Sequence, residues 1–375
     1  MIIKGFWGKL KKPIMVLAPM ADVTDPAFRR IIAKYSKWGG EDIFNNEGNI
    51  RKKYIKGGKF THTSVSCGGP DVMWTEFVSA DGLFLGGREA LIGCLAFTDV
   101  ERPIVAQFFT SKPEMMYKAT KLAVELGFDG VDINMGCPDK SIEKQGAGAA
   151  MIKNPKLARE VIRAAMKGAQ SGKKKLPVSV KTRIGWGKDE LGTWLPELLA
   201  EKPAVITIHA RTRKEMSKVP ARWEYVKRAV KIRDALGSET LIFGNGDILD
   251  VLDAKKKVEE SGADGAMLGR AIFGKPWLFA SGRKRSRLES TKRRDFEGSS
   301  FVNPDVETKL RIMVEHTKLF EKLLGKHKNF AIMKKHFKAY VNGWNDAKDL
   351  RMKLMEAENA KEVETIIKKY LSDNS

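Results

Sequence analysis

The chain has 375 residues, of which 42% are hydrophobic and 30% charged, so it can bury a substantial core and is not a disordered protein. It has no run of about 18 uncharged apolar residues, which excludes a membrane-spanning helix. Residues 1–12 lack the apolar stretch of a signal peptide. Its three cysteines, Cys67, Cys94 and Cys137, fit neither a disulfide framework nor a zinc site. We therefore expect a cytoplasmic protein with reduced thiols and no bound metal.

The charge balance points to an anionic partner. Lys and Arg number 68 against 46 Asp and Glu, a net charge of +22, and the isoelectric point is about 9.7. Such an excess favours binding to a polyanion such as nucleic acid, or to a membrane surface. The alternative is a chain rich in solvated lysines.

Eight short apolar runs, most of them rich in valine and isoleucine, have the composition of strands buried on both faces. Amphipathic stretches predict helices between them, for example at 113–126 and 154–170. Eight β/α units predict a TIM barrel. The alternative is a doubly wound open sheet, but its Gly-x-Gly-x-x-Gly turn is missing after the first run. The runs are 14–18, 71–75, 103–107, 130–134, 177–181, 204–208, 241–244 and 265–268.

Two segments interrupt this pattern. Residues 38–69, rich in glycine and charge, predict an inserted loop or hairpin at the barrel mouth. A basic run at 283–294 precedes linker and turn residues up to 304. We therefore predict a barrel domain over 1–295 and a small all-α helical bundle over 301–375.

The helical bundle is predicted from apolar residues spaced three and four apart. Such stripes run from Val306 to Leu324 and from Phe330 to Tyr340. Asp346 is a candidate cap for a third helix. A fourth helix carries the stripe Val363, Ile366, Ile367 and Tyr370.

In a TIM barrel the active site lies at the C-terminal ends of the strands. Polar or glycine-bearing groups follow every predicted strand except the first, which ends in Ala18-Pro19-Met20. The groups after the other strands are Glu76, Gln107, Asn134 to Pro138, Lys181 to Arg183, His209 to Arg211, Gly244 to Asp247, and Gly269-Arg270. Their recurrence at strand ends predicts one site at the barrel mouth.

The last two strand ends suggest a phosphate site. Gly244, Gly246 and Gly269 allow backbone N–H groups to approach an anion, and Arg270 adds charge. TIM barrels often bind a phosphate after strands seven and eight. The alternative is a pair of ordinary tight turns.

Other side chains suit an anionic, imide-like ring. Lys181 and Arg183 are two apart on a strand and so face the same side, although they could be solvated rim charges. Gln107 and Asn134 offer both hydrogen-bond donors and acceptors. His209 is either a ligand or a buried core histidine.

Cys137 lies in a Gly-Cys-Pro turn that presents its side chain at the mouth. A lone cysteine is more often a small buried hydrophobe. However, a thiol with a pKa near about 8.5 is protonated at neutral pH and can serve as a general acid.

Six motifs resemble those of the tRNA-dihydrouridine synthases, in order along the chain. The most specific pair is Asn-Met-Gly-Cys-Pro, ending at Pro138, and Gly-Asn-Gly-Asp-Ile, starting at Gly244. The insertion at 38–69 is longer than we expect for that family. The motifs cover residues 18–25, 74–80, 132–138, 181–183, 208–211 and 244–248.

The resemblance implies an FMN-binding barrel followed by a helical tRNA-recognition domain. In that family NADPH, or NADH, reduces FMN, and the hydride then passes from flavin N5 to C6 of a uridine in tRNA. A cysteine protonates C5, giving 5,6-dihydrouridine, and the matching position is Cys137. The target base must leave its stack to reach a barrel mouth.

The resemblance also assigns contacts. The FMN ring would lie on Pro19 and Met20, with Gln107 at its polar edge, Lys181 near N1 and O2, and His209 near ring and phosphate. Asn134 and Arg183 would touch the uracil. The phosphate would be held by Asn245, Gly246, Gly269 and Arg270, and Asp247 belongs to the same cofactor-binding set.

The tRNA backbone needs positive surface. Six lysines lie between Lys322 and Tyr340 with no acidic residue among them, although they could form a solvated helix face. We expect the protein to act as a monomer. Two alternative functions remain. One is another FMN-dependent barrel that acts on a small molecule, such as a dihydroorotate or ene reductase. The other is a non-enzymatic RNA-binding protein.

Overall fold

The computed structural model describes residues 4–374 except 39, 41–42, 46–48, 57–58, 62–67 and 283–303. The described residues divide into two compact units. Unit one comprises Met1–Ala21, Asp71–Leu95 and Arg102–Gly269. Unit two comprises Asp22–Pro70, Ala96–Glu101 and Arg270–Ser375.

Unit one contains eight parallel strands. Each pairs with the next one along the chain, from Met73–Ser79 to Gly265–Leu268, and Gly265–Leu268 pairs with Ile14–Leu17. The Leu17 N–H donates to the Val72 carbonyl at 3.1 Å, and the Asp71 N–H to the Met15 carbonyl at 2.7 Å. These bonds join the two edge strands, so the sheet closes into the predicted TIM barrel. The strands are β1 Ile14–Leu17, β2 Met73–Ser79, β3 Ile104–Phe109, β4 Gly130–Met135, β5 Val178–Arg183, β6 Val205–His209, β7 Leu241–Asn245 and β8 Gly265–Leu268.

Helices follow the strands, as the amphipathic stretches predict. Helix Pro155–Ala169 begins where the Asn154 side chain accepts from the Leu157 N–H at 3.1 Å, with proline in the first turn. Helix Val251–Ser261 is capped by Asp250 and ends at Gly262, whose φ of 71° is left-handed. The other α-helices of unit one are Ala80–Phe84, Arg88–Ile92, Pro113–Glu125, Lys140–Lys144, Leu191–Ala200 and Glu224–Ala235.

The barrel interior is apolar at one end. Val105, Phe243 and Met267 belong to a buried cluster that includes Trp7 and Trp74. The Trp7 ring lies 5.8 Å from the Trp74 ring and 5.6 Å from the Phe243 ring. Because side chains alternate along a strand, the residues two positions after Val105, Phe243 and Met267 also point into the barrel. Those residues form the other end of the barrel.

Unit two is mainly helical, and the stripes predicted for the C-terminal region form its core. Phe28 lies against His316 and His336, with ring centroids 4.7 and 5.0 Å away. Asp346 precedes the third C-terminal helix, as predicted, but its side chain makes no capping bond. The main α-helices are Pro26–Ile32, Val306–Leu324, Ile332–Tyr340, Ala347–Glu356 and Ala360–Asp373.

Within 38–69 the described residues include an antiparallel hairpin of Ile55–Lys56 and Lys59–Phe60. The basic run at 283–294, Cys67 and the start of the predicted bundle lie outside the described residues. The predicted domain boundary near 295–301 therefore stays a prediction. No helix in the described part of the chain is long and apolar enough to cross a membrane.

Candidate active site

The polar end of the barrel interior is built from alternate residues of neighbouring strands. Gln107 pairs in register with Asp132, and Asn134 with Lys181. Arg183 lies two residues beyond Lys181 and pairs with His209. The closed sheet therefore brings together side chains that the sequence places at separate strand ends.

A chain of hydrogen bonds links these side chains. Asp132 accepts at Oδ2 from Gln107 Nε2 and at Oδ1 from Ser179 Oγ, each at 2.5 Å. Asn134 Nδ2 donates to Gln107 Oε1 at 3.2 Å. Asn134 Oδ1 accepts from the backbone N–H groups of Gly136 at 3.1 Å and Cys137 at 2.9 Å. Both ends of the Asn134 amide are thus engaged within the protein.

The charges at this end are incompletely balanced. Burial raises the pKa of Asp132 to about 6, opposed by the bonds from Ser179 and Gln107. Burial and the charge of Arg183 lower the pKa of Lys181 to about 8. Burial likewise lowers the pKa of Arg183 to about 10. An anion bound beside the two cations would offset the cost of burying them.

Arg183 also holds loops in place. Its Nε donates to the Gly136 carbonyl at 2.7 Å, and its Nη1 donates to the carbonyls of Thr212 and Met216, each at 3.1 Å. These bonds occupy most of the guanidinium donors. Nη2 therefore remains as the donor for a predicted contact with uracil.

Cys137 is half-buried in the turn after β4. It packs against a cluster that contains Phe109, Ile142 and Ala147, which agrees in part with the role of a small hydrophobe. Burial raises the pKa of its thiol, although the backbone N–H of Asp139 acts in the opposite direction. The thiol is therefore neutral at pH 7 and retains a proton to donate.

The ends of β6 and β7 are tied together by Arg211, which is buried. Its Nη2 donates to Asp247, its Nε to the Val219 carbonyl at 2.6 Å, and its Nη1 lies 3.1 Å from His209 Nε2. Because a guanidinium can only donate, His209 Nε2 accepts and the ring carries its proton on Nδ1. The Asp247 carboxylate also accepts from the Ala221 N–H at 2.8 Å.

The glycines near the predicted phosphate site differ in their causes. A Cβ on Gly244 would lie 2.2 Å from the Trp223 ring, so that glycine makes room for the indole. Gly246, with φ of 118°, lies against Ala221 and His209. Gly269 has only ordinary contacts with Ala18 and Met20, so packing does not require a glycine there. Its bare backbone suits the close approach of a phosphate.

The remaining predicted cofactor contacts come at or just after the ends of β1, β7 and β8 along the chain. Pro19 is buried and Met20 half-buried just after β1. Asn245 Nδ2 donates to the Met267 carbonyl at 2.7 Å, which links β7 to β8. Arg270 follows Gly269 directly, is exposed, and is the first residue of the last segment of unit two.

Two buried side chains of the site, Asp132 and Ser179, are not among the site residues predicted from the sequence, and Arg211 is predicted there only as part of a strand end. Each lies two residues from a predicted site residue on the same strand or just beyond it: Asn134, Lys181 and His209. The period of two along a strand is the signal that finds them.

Among the described residues no group of three or more His, Cys, Asp or Glu side chains could hold a metal ion.

These features define an enzyme of the TIM-barrel class, with a protonated thiol and two partly compensated cations at one end of the barrel. Residues 16–374 match the family model described as "Dihydrouridine synthase (Dus)". The chain belongs to the dihydrouridine synthase family, whose members are oxidoreductases.

Curated relatives match over nearly the full length. The chain is 34% identical to "Probable tRNA-dihydrouridine synthase 2" of Bacillus subtilis (strain 168), covering 98% of each chain. It is 32% identical to "Probable tRNA-dihydrouridine synthase" of Staphylococcus aureus (strain COL), covering 98% of this chain and 96% of that one. Among solved structures, it is similar to "Morphinone reductase" with a TM-score of 0.44 and 12% identity, over 71% of this chain and 84% of that chain.

The environment of Cys137 predicts its reactivity towards iodoacetamide. Because burial raises the thiol pKa above its ordinary value of about 8.5, modification should reach half its maximal rate at a pH above about 8.5. Mass spectrometry of the peptide that contains Cys137, after short exposures between pH 6 and pH 11, measures this profile. A midpoint below about pH 8.5 would show a thiolate-stabilising site and contradict the account.

Proposed function

We propose that this protein reduces uridines in tRNA to 5,6-dihydrouridine, with FMN as its bound cofactor and NADPH, or NADH, as the reductant. The observation that carries the proposal is the neutral Cys137 thiol, in a turn bonded to Asn134 and adjacent to the cations Lys181 and Arg183. Family membership supports the reaction class.

The residues present fit an anionic flavin. Lys181 and Arg183 have lowered pKa values, which an anionic ring or phosphate would raise again. Gly269 leaves its backbone open to a phosphate, and His209 lies at the end of β6. Pro19, Met20, Gln107, Asn245, Gly246, Asp247 and Arg270 complete the proposed cofactor site. When bound, FMN would supply the hydride.

Cys137 is the proposed general acid. Its sulfur holds a proton at neutral pH because burial disfavours the thiolate. Protonation of C5 leaves a thiolate, which the nearby charges of Lys181 and Arg183 stabilise. Arg183 would contact the uracil through Nη2, and Asn134 would act at the same place chiefly by holding the Cys137 turn.

The loops after β4, β5 and β6 support an RNA substrate, because their carboxylates are already engaged. Glu143 pairs with Arg213, Asp189 with Arg228 and Glu215 with Arg222. Six exposed lysines on these loops make no ion pair with any described residue, so they present net positive charge at the strand ends. They are Lys140, Lys144, Lys153, Lys188, Lys214 and Lys218.

An aromatic ring lies among these cations. Lys153 Nζ is 3.6 Å from the Trp186 ring centroid, and the Arg213 guanidinium carbon is 5.0 Å from it. A small-molecule reductase has no need of such a rim of lysines. A nucleic acid has phosphates to pair with them.

The C-terminal helices are proposed as a second tRNA-binding surface. Lys322, Lys326 and Lys338 are exposed in the acid-free stretch. Lys328 is not available, because its Nζ donates to Asp22 at 2.9 Å. The stretch therefore offers fewer phosphate contacts than its lysine content suggests.

Replacing Cys137 with alanine should separate the two half-reactions. The purified variant should retain the yellow flavin and its reduction by NADPH, because neither needs the thiol. Reoxidation of the reduced flavin by tRNA should slow by roughly 10²–10⁴-fold, the usual contribution of a positioned general acid. Single-turnover absorbance measurements follow both steps.

The matched control is Cys94→Ala, which removes a buried cysteine outside the site and should react at the wild-type rate. A colourless wild-type protein that cannot be reconstituted with FMN would refute the cofactor assignment. An unchanged rate for Cys137→Ala would refute the role of the thiol.

Replacing Lys326 and Lys338 together with glutamine should weaken tRNA binding, because two cations that pair with phosphates are removed. The slope of log affinity against log salt should become shallower by about one unit for each phosphate that is no longer neutralised. The control is Lys361→Gln with Lys369→Gln, which removes the same charge from exposed positions on the helix Ala360–Asp373. If both pairs change the slope equally, these helices contribute only general charge.

A further inference from the structure

The buried carboxylate of Asp132 has no role in the function proposed above, yet it lies at the start of a continuous hydrogen-bonded path. A carboxylate only accepts, so Gln107 must turn its Nε2 towards Asp132 Oδ2, at 2.5 Å. Gln107 Oε1 then faces Asn134, which must turn its Nδ2 to it, at 3.2 Å. The orientation of each amide is thus set by the one before it.

The path ends at the thiol turn. With its Nδ2 directed at Gln107, Asn134 presents Oδ1 to the backbone N–H groups of Gly136 and Cys137. A flipped amide would present donors to those donors and leave them unsatisfied in a buried place, which is costly. All three side chains along the path, Asp132, Gln107 and Asn134, are buried, so water does not readily replace these bonds.

We propose that Asp132 is a positioning residue that, through Gln107 and Asn134, fixes the turn carrying the Cys137 thiol. The proposal rests on the function proposed above only in naming that thiol as the acid. The path itself is a property of the chain. Asp132 touches neither substrate nor cofactor in this role.

The surroundings of Asp132 are consistent with this task. Besides Gln107 it accepts from Ser179 Oγ at 2.5 Å, and Lys181 is the charged group that acts on it. Ser179 Oγ also lies 3.2 Å from the Val131 carbonyl. Burial raises the pKa of the carboxyl to about 6, so at neutral pH it remains chiefly the ionised acceptor that the path needs.

The test uses the purified protein as isolated and measures the pH profile of Cys137 modification by iodoacetamide. In Asp132→Leu, Gln107 loses its acceptor and both amides are free to rotate. The Cys137 turn should then loosen. Modification of Cys137 should become about fivefold faster, which is the effect of removing one buried hydrogen bond. The midpoint of its pH profile should move towards the ordinary pKa of a thiol.

Two variants serve as controls. Asp132→Asn keeps an oxygen towards Gln107, while the Ser179 hydroxyl accepts from the new NH₂ group, so the profile should return to that of the wild type. Ser179→Ala removes the other bond to the same carboxylate and raises its pKa further. It is therefore compared with the wild type at the alkaline end of the profile, where Asp132 is ionised, and should match it there. If Asp132→Leu does not fold, Asp132→Val, which is smaller and likewise offers no acceptor, is measured in its place.

A folded Asp132→Leu or Asp132→Val protein with the wild-type Cys137 profile would overturn the proposal. So would an Asp132→Asn profile that changes as much as that of Asp132→Leu, since charge rather than orientation would then be responsible. The measurement requires neither tRNA nor reductant. Its failure is therefore distinguishable from failure of the proposed function, which would appear as wild-type protein inactive on tRNA.

Discussion

The site depends on one geometric constraint, the alternation of side chains along eight parallel strands that close on themselves. In the strands whose register is regular, the residues of one parity point inwards, and the chain fills these positions in two zones. In β2 a register shift between Trp74 and Phe77 interrupts the alternation. The apolar zone contains Val105, Phe243 and Met267. Two residues further along the same three strands are Gln107, Asn245 and Gly269, respectively. A shift of one residue in any strand would turn its polar group out of the barrel.

This arrangement places charged side chains inside the barrel, where it is costly to bury a charge. Asp132, Lys181 and Arg183 all have pKa values moved towards the neutral form by burial. Such groups are tolerated where they are bonded to each other or to a ligand. Here Asp132 is satisfied by Ser179 and Gln107, whereas the two cations gain most from a bound anion. The same burial keeps the Cys137 thiol protonated at neutral pH.

Much of the fold was predictable because each barrel strand is a short apolar run between turn signals. All eight predicted runs are strands, and helices Pro113–Glu125 and Pro155–Ala169 lie where the amphipathic pattern places them. Strand Met73–Ser79 extends beyond its apolar run because Phe77, Val78 and Ser79 pair with β3 after a register shift. Glu76 lies within that shift and is not one of the paired residues. For residues 38–69 the sequence predicted either a loop or a hairpin. The structure has a hairpin after Tyr54, whose strands have two residues each and are too short to show an alternating pattern.

The candidate site was predictable as a set of strand ends but not as a network. The sequence shows that Gln107 and Asn134 can both donate and accept, but not that they bond to each other. The involvement of Asp132 follows from the register of β3 against β4, which a single sequence does not specify. The sequence suggested that Gly244 is a glycine because it belongs to a phosphate-binding turn. The structure gives another reason, because the Trp223 ring lies against this residue and leaves no room for a side chain.

The central claim is that this chain reduces uridine in tRNA, and the product tests it most directly. Transfer RNA from a strain that lacks the protein is incubated with the FMN-loaded enzyme and NADPH, digested to nucleosides and analysed by mass spectrometry. The account predicts that 5,6-dihydrouridine appears at defined positions, and that it does not appear when NADPH is omitted. If the flavin is reduced by NADPH and yet every uridine remains unchanged, the claim is contradicted.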